Sequence, residues 1–154
     1  EVAEGKNLLS IGSEVEFSAE NFTDKARLRE SLVETAKKFL NVPYLWGGRS
    51  FFGIDCSGFV QLVYKVHGIS LPRDADKQAE IGFSRDFVEE SEPGDLAFFE
   101  NENGFITHVG LVLSPFEIIH ASGKVRIDSL DFSGIYNAEK NKHTHKLRMV
   151  KNFL

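Results

Sequence analysis

The stretch Gly53-Ile54-Asp55-Cys56-Ser57-Gly58-Phe59-Val60-Gln61-Leu62-Val63-Tyr64 changes character at Cys56, from glycine and polar residues to an apolar pattern of helical spacing. Phe59, Val60, Val63 and Val66 share one helical face, which predicts a helix opening at the cysteine. A thiol at that end faces backbone N–H groups with no partner inside the helix, and the positive end of the helix dipole. Both favour thiolate, the form that attacks carbonyl carbon, so Cys56 is expected to alkylate well below about pH 8. It is the single cysteine of the chain, which excludes an internal disulfide and leaves the redox compartment open.

Upstream of this helix, Pro43-Tyr44-Leu45-Trp46-Gly47-Gly48-Arg49-Ser50-Phe51-Phe52-Gly53 reads as an aromatic, glycine-rich loop. Before it, Leu28, Leu32, Ala36 and Phe39/Leu40 recur on one face and predict a helix from Thr23 or Asp24, either a suitable N-cap, to Leu40. Asn41 and Pro43 end it. Residues 1–22 carry no clear pattern and are expected to be an N-terminal arm, or a linker from an upstream domain; residues 23–154 form the main domain.

Downstream, His67-Gly68 closes the Cys56 helix, with Gly68 as the residue past its end and His67 belonging to its C-terminus. A second loop, Leu71-Pro72-Arg73-Asp74-Ala75-Asp76, leads into a short helical segment near Gln78 to Ile81. The period then switches to that of strands: Leu96 to Phe99 after the Glu92-Pro93-Gly94-Asp95 turn, His108 to Leu113 paired with Glu117 to Ala121, then Val125 to Leu130 and His145 to Val150. Helices first and strands after predict an α+β domain, with N-terminal helices packed on an antiparallel sheet of about five strands.

At 154 residues, 42% hydrophobic and 27% charged, the chain fits one domain with a substantial core. A net charge of −5 with no basic stripe argues against nucleic acid as a partner. The basic cluster Lys142, Lys146, Arg148 and Lys151 reads as a solvated edge strand. No apolar run has the length of a membrane span.

Cys56 needs a base, and the base needs an orienting group. His108, in Thr107-His108-Val109-Gly110, shares a strand face with Gly110 and Val112, and His120 falls on the strand paired with it. Two histidines on paired strands can line up beside one helix N-terminus. The same residues also describe a buried thiol with two hydrogen-bonded core histidines. A Cys-His-His zinc site is a third reading, against which stands the lack of any closely spaced ligand pair such as CxxC or HxxxH. His143 and His145, two apart in the basic tail, read as surface residues.

Five segments, Pro43-Tyr44-Leu45-Trp46-Gly47-Gly48, Asp55-Cys56-Ser57-Gly58-Phe59-Val60, Pro93-Gly94-Asp95-Leu96, Thr107-His108-Val109-Gly110 and Ile119-His120-Ala121, together resemble the NlpC family of bacterial cell-wall cysteine peptidases, of the papain-like clan. The resemblance implies a papain-like fold with Cys56 as nucleophile, His108 as general base and His120 as the residue orienting it. It implies hydrolysis of the γ-D-glutamyl–diamino acid amide bond in peptidoglycan stem peptides, with no metal or organic cofactor. Ser70-Leu71-Pro72-Arg73-Asp74-Ala75 is similar to the loop of the subgroup that trims free stem peptides, which implies that Asp74 binds a free N-terminal L-alanine. Arg73 and Ser57 would hold substrate carboxylate or backbone, Tyr44 and Asp55 would line the cleft, and Trp46 would form a wall. That subgroup carries upstream Src-homology-type domains, so the resemblance makes such domains expected partners of this chain. The same scaffold also serves cell-wall amidases, acyltransferases and catalytically silent peptidoglycan-binding modules. A bacterial compartment, cytoplasm or cell envelope, is left open.

Overall fold

The structure is a computed structural model that describes residues 19–154, with side chains from Asp24 onward. Most of the arm or linker expected over residues 1–22 lies outside the described residues; residues 19–22 open a helix, α1 (Ala19–Lys37). Thr23 and Asp24 therefore sit inside this helix rather than capping it. Leu32 and Ala36 on its apolar face are fully buried. After Lys37 the backbone tightens into three-residue turns, and Asn41 turns the chain at φ 72° before Pro43.

The aromatic loop that follows is tied down by a small ribbon, β1 (Arg49–Ser50) with β2 (Gly53–Ile54), and by a bridge from Tyr44 to Ile54. Then comes α2 (Cys56–Val66), with Phe59, Val60, Val63 and Tyr64 at 0% exposure. Each such side chain contributes roughly 1.5–3 kcal/mol on burial, which anchors the helix far more firmly than propensity does. Val66, expected on the same face, is exposed because it lies in the last turn, past the edge of the packed surface. Gly68 follows at φ 78°, as the sequence predicts. The short helix α3 (Ala75–Gln78) begins one turn earlier than expected, because Ala75 and Gln78 find burial there while Ile81 does not.

Seven strands follow: β3 (Phe83–Arg85), β4 (Leu96–Glu100), β5 (Ile106–Ser114), β6 (Glu117–Ser122), β7 (Lys124–Asp131), β8 (Gly134–Asn137) and β9 (Lys142–Asn152). They form one antiparallel sheet in the order β3-β9-β4-β5-β6-β7-β8, and a further β8–β9 pairing closes six of them into a barrel. The α+β class stands; the count of about five strands is corrected to seven. The two extra strands are only three and four residues long, too short for alternation to show. The basic tail is no edge strand either. β9 is paired on both sides, with β4 along one and with β3 and β8 along the other, while Lys146 and Arg148 both reach Glu100.

The apolar residues divide into two cores. Phe99, Val112, Ile118, Leu130 and Ile135 fill the barrel, whereas Phe59, Val63, Leu96, Phe98 and Ile119 join the helices to its outer face. The Pro93-Gly94-Asp95 turn is clamped between them: fully buried Asp95 pairs with Arg29 at 2.9 Å and with Arg85 at 2.9 Å, and the Tyr64 hydroxyl donates to the Gly94 carbonyl. Among the described residues no helix is long and apolar enough to cross a membrane.

Candidate active site

Cys56 is the first residue of α2, and Asp55 is its N-cap. One Asp55 carboxylate oxygen accepts from the Gly58 N–H at 2.7 Å, the other from the Gly47 N–H at 3.0 Å. Gly58 has to be glycine, since a Cβ there would stand 2.7 Å from both Asp55 Oδ1 and the Gly48 carbonyl oxygen. Arg73 grips the same carboxylate with two nitrogens, at 3.0 and 2.6 Å, and donates to Ser57 Oγ at 2.9 Å. Burial disfavours the Asp55 charge, yet the Arg73 hydrogen bond and the backbone N–H donors outweigh it and hold the carboxyl below its usual range.

These residues open onto a cleft of about 500 Å³, lined by Cys56 and by all six side chains nominated as substrate-binding: Tyr44, Trp46, Asp55, Ser57, Arg73 and Asp74. They do not play equal parts. Arg73 is committed to Asp55 and Ser57, Trp46 stands 87% exposed at the rim, and Asp74 is exposed with no hydrogen bond to the helix it precedes.

On the other side of the sulfur lies β5, whose Val109 N–H is directed at the thiol. The neighbouring His108 is buried, and its Nε2 is 2.9 Å from Nδ1 of His120 on β6. Gly110 makes this approach possible, because a Cβ there would meet His120 Cβ at 2.8 Å. Behind His120 stands a residue the sequence reading missed: Asp128 on β7, with Oδ2 2.8 Å from His120 Nε2. Arg126 pins the Asp128 carboxylate with two hydrogen bonds, of 2.8 and 3.1 Å. These partners hold Asp128 charged below its usual range against the opposing effect of burial.

The acceptor at one end fixes the protons along this row. Ionised Asp128 accepts, so His120 Nε2 donates, and in that tautomer His120 Nδ1 accepts from His108 Nε2. That leaves His108 Nδ1 with a free lone pair. Burial, helped by the two neighbouring imidazoles, pushes His108 well below the usual histidine range and keeps it neutral.

His145 departs from the surface role read for it. An extra residue in β9, where the β8–β9 register shifts, brings its ring onto His108 in a stack with centroids 4.1 Å apart. His143 stays exposed, paired with Asp131 at 2.8 Å. His67 sits at the α2 C-terminus, bonded to Ser31 at 2.8 Å and to the Val63 carbonyl at 2.8 Å.

The thiol is also unlike the sequence expectation. Burial pushes Cys56 above its ordinary value and the Asp55 charge adds to this, against the Val109, Ser57 and Cys56 N–H groups. Burial thus depresses His108 on β5 and raises the Cys56 thiol at the start of α2, so both rest neutral. Iodoacetamide alkylation of Cys56 should therefore still be accelerating above pH 9.0, the reference thiol value. A rate already at its plateau near neutrality would show a preformed thiolate instead.

A cysteine heading a helix packed on an antiparallel barrel, with a histidine on the facing strand, defines the papain-like α+β class. Residues 41–148 match the NlpC/P60 family, and the chain belongs to it. It is 42% identical over 94 residues to a γ-D-glutamyl-L-lysine dipeptidyl-peptidase of Bacillus cereus, covering 60% of this chain and 28% of that one. With dipeptidyl-peptidase 6 of Lysinibacillus sphaericus it shares 34% identity over 116 residues, 73% of this chain and 41% of the relative. The crystal structure of an NlpC/P60 family protein from B. cereus superposes with a TM-score of 0.71 at 34% identity, covering 82% of this chain and 40% of that one. The chain thus spans well under half the length of these relatives.

Proposed function

We infer that this domain is a cysteine peptidase that hydrolyses the amide bond between γ-linked D-glutamate and the following diamino acid of peptidoglycan stem peptides. The observation that carries this reading is the directed row Asp128–His120–His108, which ends on β5 one residue before Val109, whose N–H is directed at the Cys56 thiol in the cleft. The names of the relatives support the substrate class.

In the mechanism, Cys56 attacks the amide carbonyl while its proton passes to His108 Nδ1. Because the resting pair is neutral, proton transfer accompanies attack; general-base help of this kind is worth on the order of 10²–10⁴ in rate. The oxyanion forms at the α2 N-terminus, where the Cys56 and Ser57 N–H groups point toward the sulfur and Gly58 is already engaged by Asp55. Tyr44, held protonated by burial and by the nearby Cys56 and Asp55, adds a hydroxyl donor to the same cleft. His108 returns the proton to the leaving amine, then activates the water that hydrolyses the thioester. His120 and Asp128 act through His108, as positioning residues.

Asp74 is the group best placed to read a free α-ammonium, since its carboxylate faces the cleft without a hydrogen bond to α3. Asp74→Ala is expected to weaken cleavage of substrates with a free N-terminus by roughly 1.5–3 kcal/mol. An equal loss on N-acetylated substrate would reduce Asp74 to shaping the loop.

The assignment is tested by giving the protein L-Ala-γ-D-Glu-L-Lys, its meso-diaminopimelate counterpart and their N-acetylated twins, with products read by mass spectrometry. Release of the Ala–Glu dipeptide is the expected result. Cleavage of none of the four peptides by the folded protein would remove the substrate class.

A further inference from the structure

We propose that His108, His120 and His145 form a binding site for a zinc ion, and that its occupation switches the peptidase off. The inhibition rests on the base role given above to His108; the binding does not.

The three rings come from three different strands, β5, β6 and β9, and one ring nitrogen from each lies within 4.8 Å of the others. Zinc binds each nitrogen at about 2.0–2.1 Å, so an ion among the three would draw them closer together, and the least buried ring, His145, has the most room to move. Two of the three already have the outer partner that metal-bound histidines need. His120 donates Nε2–H to Asp128 and keeps Nδ1 for the ion, while His145 has Nδ1 against the Thr144 hydroxyl at 2.8 Å and keeps Nε2. A cavity of about 260 Å³ borders His108 and His145, which gives an ion a route in and a water the fourth position.

Inhibition follows from the tautomer. Zinc on His108 Nε2 takes the lone pair there, and the proton that Nε2 carried moves to Nδ1. The ring then presents a donor to Cys56 where the reaction needs an acceptor. The converging ligand atoms come from the three histidines, and the Cys56 sulfur is not one of them. This distinguishes the site from ordinary capture of metal by an active-site thiol.

Calorimetric titration of the Cys56→Ala chain with Zn²⁺ alone should show one ion bound, as tightly as in the unmodified chain. His145→Asn should weaken it at least about tenfold, and Asp128→Asn by about 10–100-fold, the usual range for an outer partner. X-ray absorption of the zinc-loaded unmodified chain should show nitrogen or oxygen neighbours only; this reading stays decisive if either variant fails to fold. A sulfur neighbour at about 2.3 Å, binding lost in Cys56→Ala, or no binding at all would overturn the site. In the peptide assay, zinc should abolish turnover and EDTA restore it. Binding without inhibition of an active enzyme would reject the switch, and binding to a chain that cleaves no stem peptide would reject the peptidase assignment and leave the metal site standing.

Discussion

Cys56→Ala is expected to lower stem-peptide cleavage by on the order of 10⁶-fold, the scale on which removal of a nucleophile acts. The fold should survive. Cys56 is 8% exposed at the first position of α2, where Asp55, and not the thiol, caps the helix through Gly58. The change removes one sulfur and one weak contact with the Val109 N–H, a loss within about 1 kcal/mol. Substrate affinity should also hold, because Tyr44, Asp74 and the α2 N–H groups do not depend on the sulfur for their positions. A variant that binds substrate, melts normally and does not turn over is thus the expected phenotype, checked by calorimetry, thermal unfolding and product analysis. Residual turnover near the unmodified rate would sink the nucleophile assignment outright, since the chain contains no second cysteine.

What the sequence discloses here follows the range over which its signals act. The α2 helix was legible because Phe59, Val60 and Val63 lie within two turns, and Gly68 marks the end. The β5–β6 pair was legible because alternation through His108, Gly110 and Val112 continues across one short turn into Ile118 and His120. Barrel closure was not, because it depends on β9 meeting β8 and β4 at once, and no local pattern records a pairing on both sides. The misreading of His145 has the same origin: its place against His108 comes from that closure and from the register shift beside it. Asp128 was invisible for another reason. In Arg126-Ile127-Asp128 the apolar residue is the exposed one, and the carboxylate is turned inward beneath His120. An inverted alternation of this kind, with an arginine two residues before the acid, was the available signal. The thiol was misjudged because helix position is written in the sequence and burial against β5 is not.

Asp128→Asn should therefore test a residue that only the three-dimensional arrangement nominates. Both carboxylate oxygens are occupied, Oδ2 by His120 and Arg126, Oδ1 by Arg126. An amide has one acceptor, so in either orientation its NH₂ faces an arginine donor. With the NH₂ at Oδ2, His120 Nε2 also meets a donor and gives up its proton to Nδ1. His120 then donates to His108, and the His108 proton moves to Nδ1, where it opposes the thiol. With the oxygen at Oδ2, the row keeps its direction but its terminal charge is gone, and the imidazolium that forms on His108 during attack loses its distant counter-ion. Both outcomes strike the step in which the proton leaves sulfur, so kcat should fall by on the order of 10²–10⁴. KM should barely move, because Asp128 does not line the cleft. The Arg126 conflict adds a stability loss of about 1–3 kcal/mol, visible in thermal unfolding and separable from the kinetics at temperatures where the variant is folded. A rise in KM with kcat preserved would mean that Asp128 braces the barrel without setting the tautomer of His108.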